Sequence, residues 1–360
     1  MYFFVDKLIY FYIFICASLL IFNILYIMRS GRSKRRRRTA VSRWKRLILE
    51  EAEGLERGKN VSEKHLALLR KRLSRVEELM AWQNALFSEG SLPEALRCRY
   101  LTECQRIVGK LAWDFQRRDS MERAFFAYVV SICYQDTGEE AYLVEPLLAY
   151  LEKSTVFLRE HVLHALFVIG NESAIERAFD YLSDQGWFHN TKLVSDGLML
   201  YRKDKEKLAE RLWAHREHWS ESLVVSVVQF ASNISARLET EFFEALQEED
   251  ISIEIRFALI RYFRKNPWQE CLPYLLKLLE EEQGLAIAAA SALASYPQAQ
   301  AREALKRALC NKSWYVRKNA ALSLCTMGIT QKEAEEIQNG KDRYAAEMLR
   351  YVMEERGMGL

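Results

Sequence analysis

Three arginines keep step along the C-terminal two-thirds of this chain. Arg159, Arg256 and Arg317 each follow a short polar turn and open an apolar helical pattern. They lie 97 and 61 positions apart, three and two units of about 31–32 residues. Lys192 falls one such unit after Arg159. A fixed period in this range leaves few folds open. Each unit is one supersecondary element that buries its apolar face only against its neighbours, so the units stack in one dimension.

The content of a unit is helical. "VEPLLAYLEKSTVFLREHVLHALFVIGN" (144–171) and "ALKRALCNKSWYVRKNAALSLCTMGI" (304–329) have one order of parts. A helix of Leu pairs leads to a polar turn, then to apolar-Arg, an Ala/Leu-rich helix and a terminal Gly. "CLPYLLKLLEEEQGLAIAAASALASYP" (271–297) repeats the first helix, with Pro273 placed like Pro146, and 240–266 repeats the turn and its Arg. Only 14 Gly and 5 Pro occur in 360 residues, which favours helix throughout. No run of alternating β-branched residues appears, and Asn339-Gly340 lies between helical patterns rather than strands.

These residues resemble HEAT repeats, and "NKSWYVRKNAALSLCTMG" is similar to the short bacterial HEAT-like repeats of the phycobilin-lyase type. The likeness is strong for 140–170 and 240–328, eroded for 172–234, and marginal at 92–134 and 331–355. It implies an all-α fold, an α-α superhelix of about eight helix pairs over 91–360. It further implies that the turn arginines brace adjacent turns, that Trp314 packs a turn, and that the second helices form a surface for a protein partner.

Before the repeats stands "LIYFYIFICASLLIFNILYIM", Leu8 to Met28, 21 residues without a charge. At 1.5 Å per residue it matches the roughly 30 Å hydrocarbon core of a bilayer. Tyr2, Tyr10, Tyr12 and Tyr26 lie towards its ends, where interfacial aromatics belong. A cleaved signal peptide wants the strong charge first and small residues at the cut. Here the charge follows, and "LYIMRS" offers no such site. The expectation is one transmembrane anchor over 1–28.

"SGRSKRRRRTAVSRWKR" (30–46) comes next, with nine Lys or Arg in seventeen residues and no acid. Arg29, Arg32, Lys34, Arg35, Arg36, Arg37 and Arg38 outweigh Lys7 before the span, so the N-terminus is expected outside and the remainder in the cytoplasm. The same cations suit anionic lipid headgroups. Residues 47–360 hold 41 bases and 48 acids, so the body is acidic and the excess positive charge sits at one end.

Residues 29–60 read as a basic juxtamembrane segment and linker helix. Over 61–90, Leu66, Leu69, Leu73, Val76, Met80, Gln83 and Phe87 keep a 3-4 spacing, which suits either a capping helix or a coiled coil. Ser62 is placed to cap it, and Ser91 with Glu94 reads as a capping box for the next helix.

No phosphate loop, dinucleotide fingerprint, nucleophile elbow or H-E-x-x-H pair occurs. His161/His164 and His215/His218 are spaced to share a helix face, without an obvious third ligand. The seven Cys lack any Cys-x-x-Cys and read as reduced core residues. No catalytic, cofactor or metal residue is assigned, and no small-molecule substrate is expected. Arg261, Arg264, Lys265 and Lys318 are candidates for a partner surface. The expected function is a single-pass scaffold that binds a membrane-proximal protein at the cytoplasmic face. Two alternatives stand: nucleic-acid binding through 32–46, or a HEAT-like enzyme with a site on the concave face.

Overall fold

In this computed structural model, residues 2–134, 141–280 and 283–357 are described, with side chains for all of these except 2–10, 25, 27–33, 141 and 283. Among the described residues the chain is helical throughout and contains no strand. It divides into two compact units, Met1–Asn171 and Glu172–Leu360.

The first unit holds α1 (Tyr2–Glu56), α2 (Glu63–Arg72), α3 (Val76–Phe87), α4 (Glu94–Gln116), α5 (Ser120–Cys133), α6 (Ala141–Ala149) and α7 (Val156–Ile169). Contacts run α2–α4–α6 along one row and α1–α3–α5–α7 along the other, with α4 on α5 and α6 on α7. These are helix pairs stacked side by side, and the end of α1 fills a place in the second row.

Local chemistry sets the boundaries. Ser62 Oγ caps α2 by accepting from His65 N at 3.2 Å. Asp119 caps α5 through Met121 N and Glu122 N at 2.8 and 3.0 Å. Thr155 caps α7 through Leu158 N, and α7 ends on Gly170 in the left-handed region, φ 69°. The aromatics Trp44, Trp82, Tyr100, Phe115, Phe126 and Tyr150 are buried between the rows. Their polar atoms are satisfied there: Tyr100 Oη sits 2.8 Å from His65 Nε2 and accepts from Trp82 Nε1 at 3.3 Å.

Two boundaries differ from the sequence expectation. The single helix expected over 61–90 is two, α2 and α3, broken at Leu73–Arg75. Of the 3-4 series only Leu69, Leu73 and Gln83 are buried, while Phe87 is 39% exposed, so the spacing does not mark the buried face of the two helices. The helix after Pro93 also starts later than the Ser91 capping box predicts. Pro93 itself is the cap residue, extended at ψ 151°, and no side chain caps α4.

The second unit holds α8 (Glu172–Asp184), α9 (Thr191–Leu198), α10 (Lys205–Ala214), α11 (Glu221–Ile234), α12 (Glu239–Gln247), α13 (Ile253–Lys265), α14 (Leu272–Glu280), α15 (Gln283–Ala292), α16 (Ala299–Ala308), α17 (Trp314–Thr326), α18 (Gln331–Gln338) and α19 (Arg343–Glu355). The row α9–α11–α13–α15–α17–α19 is continuous, and α10, α12, α14, α16 and α18 each pack on the helix that follows. Counting from Ser91, the described α-helices number sixteen, four in the first unit and twelve in the second.

The turn arginines fold back on the turn before them. Arg317 Nη1 donates to the carbonyls of Asn311 and Lys312 at 2.8 and 3.1 Å. Arg256 Nη2 donates to those of Glu248 and Glu249 at 2.6 and 3.0 Å, and Arg159 Nη1 reaches Ser154 O at 3.4 Å. Each guanidinium thus satisfies main-chain oxygens that no helix engages. Lys192 keeps the period but not the role; it lies exposed in the first turn of α9.

Candidate functional site

Helix α1 carries three kinds of surface in succession. Its apolar side chains stand away from any core, with Phe11, Phe14 and Phe22 at 64%, 68% and 65% exposure. Among the described residues no helix is long and apolar enough to cross a membrane. Residues 8–10, 25, 27 and 28 of the expected span lie outside those whose side chains are described. Lys34, Arg35, Arg36, Arg37 and Arg38 follow, all exposed, while Arg29 and Arg32 lie outside the described side chains. The helix then enters the repeat core, where Trp44, Ile48, Ala52 and Leu55 are buried. Glu78 of α3 locks it there by accepting from Arg43 Nη2 at 2.7 and 2.8 Å and from Trp44 Nε1 at 2.9 Å.

A groove of about 270 Å³ crosses three consecutive second helices of the other unit. Lys192, Ser195 and Asp196 of α9, Gln229, Ser232 and Asn233 of α11, and Ala258, Arg261 and Tyr262 of α13 line it. Small residues at the seams, Ser195 and Ala258, keep it open. Its polar groups are held in place: Asn233 Nδ2 donates to Ser195 Oγ at 3.3 Å, and Gln229 Nε2 to Thr191 Oγ1 at 3.4 Å. Lys265 Nζ donates to Asn233 Oδ1 at 3.2 Å, which draws α13 onto α11. Among the described residues no ion pair or hydrogen bond engages the Lys192 ammonium or the Arg261 guanidinium. Asp196 is the single acid in the lining.

The expected partner residues therefore separate. Arg261 lies in the groove and Lys265 beside it, joined by Asn233. Arg264 is exposed at the end of α13, where its carbonyl accepts from Ser295 Oγ at 2.6 Å. Lys318 is elsewhere, on α17, with its ammonium 5.3 and 5.4 Å from the ring centres of Trp314 and Tyr351. Trp314 does not close a turn as expected; it is 44% exposed and meets Tyr315 edge-on at 5.2 Å. Sequence reasoning missed Gln229 and Asn233. The available signal was two amides in "ESLVVSVVQFASNI", a helix otherwise almost wholly buried.

A second groove, about 350 Å³, lies between the first helices α10 and α12. Glu210, Glu241, Glu244 and Glu248 make it acidic. Arg216 is its cation, 4.1 Å over the Trp213 ring and 3.6 Å from Glu248.

Of the histidine pairs, His161 and His164 pack within the first unit, while His215 and His218 are exposed. His161 meets Phe157 and Tyr128 edge-on at 4.4 and 5.8 Å, and burial pushes the pKa of both His161 and His164 down. His215 Nδ1 lies 3.0 Å from Arg211 O. Among the described residues no three His, Cys, Asp or Glu converge as metal ligands. Cys104, Cys133, Cys271 and Cys325 are buried and free, and burial pushes the Cys104 and Cys271 thiols up to about 12. A thiol held protonated in this way is a poor nucleophile.

Comparison with known proteins gives little. No protein-family profile matches the chain, and no curated protein sequence does. Among solved structures it is similar to human deoxyhypusine hydroxylase in complex with glycerol, at 15% identity over 82% of this chain and 97% of that one, with a TM-score of 0.29. A score this low does not demonstrate a common fold.

Proposed function

We propose that this chain is a membrane-anchored helical-repeat scaffold that presents its second-helix face to a protein partner. The reading rests chiefly on one observation: α1 is a single helix from Tyr2 to Glu56 whose last turns belong to the repeat core. An apolar stretch exposed over 11–24 has no partner surface within its own unit. A surface of that kind belongs in lipid or against another protein. The cations at 34–38 then meet anionic headgroups, and the resemblance to HEAT repeats supplies the binding role. Because the helix is continuous, the anchor sets the position of the first unit relative to the bilayer. Residues 29–360 face the cytoplasm in this reading.

Fractionation tests it. Full-length protein is expected in the membrane pellet, resistant to carbonate and released by detergent. Deletion of 1–38, which spares Trp44 and the core turns of α1, is expected in the soluble fraction with its helical content intact. Full-length protein in the carbonate supernatant overturns the anchor. Pelleting of the folded deletion variant shows that a second attachment exists and overturns the single-anchor reading.

A further inference from the structure

We infer that the groove across α9, α11 and α13 is the seat of an acidic peptide segment of the partner. This rests on the scaffold reading above and gives the partner its chemistry.

Charge complementarity points to an acidic occupant. Residues 47–360 hold seven more acids than bases, yet this groove inverts the sign. Lys192 and Arg261 enter its lining against Asp196 alone, and Lys265 and Arg264 extend the positive charge along α13. Several cations elsewhere in the unit are engaged. Arg211 is held by Glu172 and Glu176, Arg302 and Lys306 by Glu333, and Lys318 by Glu355 and two rings. Two unengaged cations in one concavity are a different arrangement. An Arg fork and a nearby ammonium suit a carboxylate, the fork taking both oxygens.

The amides favour a peptide over a lone anion. Gln229 and Asn233 each spend one N–H inside the protein, on Thr191 and Ser195. Each keeps a second N–H, and Gln229 keeps its carbonyl oxygen, for the main chain of a bound segment. The lining crosses three helices, so it suits an extended segment rather than a single residue. Asp196, one turn from Lys192 on α9, offsets part of the positive charge at that side of the groove.

The probe is a fluorescein-labelled Glu/Ser peptide, with a Gln/Ser counterpart, added to full-length protein in neutral-lipid nanodiscs. The Glu/Ser peptide is expected to bind, and the counterpart to bind about tenfold more weakly. Arg261→Gln and Lys192→Gln are each expected to weaken binding about tenfold, while Asp196→Asn tightens it. All three residues are exposed, so these variants keep the fold. Replacing Lys34, Arg35, Arg36, Arg37 and Arg38 by Gln is expected to leave this binding in place.

Loss of binding in that last variant alone, or wild-type affinity in Arg261→Gln and Lys192→Gln, overturns the proposal. So does a groove that takes a phosphoserine peptide or single-stranded RNA but not Glu/Ser. Membrane fractionation of Arg261→Gln is read separately, so failure of the groove and failure of the anchor remain distinct results.

Discussion

The indole of Trp44 donates to the Glu78 carboxylate at 2.9 Å, which ties the helix bearing the apolar stretch to α3. Arg43 adds two bonds to the same carboxylate, and Arg72 lies 3.7 Å from it. Trp44→Ala is expected to cost about 3–5 kcal/mol, because it removes a wholly buried ring and leaves a cavity. Glu78→Gln is expected to cost about 1–3 kcal/mol through the bonds it weakens. Urea unfolding of the 1–38 deletion protein measures both, and near-wild-type midpoints would show that α1 is not part of the core.

Carboxylates give the protein an acid limb. Burial opposes the charge of Glu78, but Arg43, Trp44 and Arg72 outweigh it and hold its pKa below the ordinary value. Burial likewise opposes the charge of Glu333; the Thr330 N–H and Lys306 outweigh it and bring the pKa to about 2. A depressed carboxylate contributes stability that is present above its unfolded pKa and lost as pH falls through the folded value. Stability should therefore decline from about pH 4.5 towards 2, and Glu333→Gln should flatten that decline. Urea midpoints measured at stepped pH follow the effect.

Histidines add a milder limb in the first unit. Burial lowers the pKa of His65, His161 and His164, with Glu51 and Glu50 opposing at His65 and Glu160 at the other two. The folded state thus prefers the neutral rings. Their contribution is present above about pH 6.5 and is lost as pH falls through the lowered values. The melting temperature is expected to drop between pH 7 and 5, and His161→Asn with His164→Asn to remove part of that drop. A flat profile would mean that the rings are solvated.

Much of this was legible in the sequence, and the omissions have physical causes. The arginine period located the turns because a guanidinium that must reach carbonyls five to eight residues back fixes its own place. The break at Leu73–Arg75 was hidden because it contains no Gly or Pro and keeps the apolar spacing. The groove was half visible. Arg261 and Lys265 stood out as charges, but Lys192, Gln229 and Asn233 meet them only through the packing of α9, α11 and α13. Sequence spacing within one helix carries no information about that register.

The turn arginines make a sharp structural prediction. Arg317→Ala removes two bonds to carbonyls of the preceding turn and is expected to cost about 1–3 kcal/mol. Arg317→Lys should recover little, because one ammonium replaces a planar fork. Arg256→Ala, with the same pair of carbonyl bonds, should behave alike. Hydrogen exchange reports the site: amides at 311–316 should exchange faster while those of α13 keep their protection.

The exposed cations of α1 should govern both attachment and direction. Lys34, Arg35, Arg36, Arg37 and Arg38 extend from a helix that neither buries nor pairs them. Near an anionic surface each contributes on the order of 1 kcal/mol, and salt screens the contribution. A peptide of residues 29–46 is expected to bind vesicles containing phosphatidylserine and to leave them as salt rises. Vesicles of phosphatidylcholine should not hold it. In the full chain, replacing all five by Gln removes most of the positive flank while Lys7 remains on the other side. A fraction of molecules should then insert with the opposite orientation, read as protease protection of the C-terminal units in inverted vesicles. Unchanged orientation would assign topology to the folded repeats rather than to the charge, since a folded domain also resists translocation.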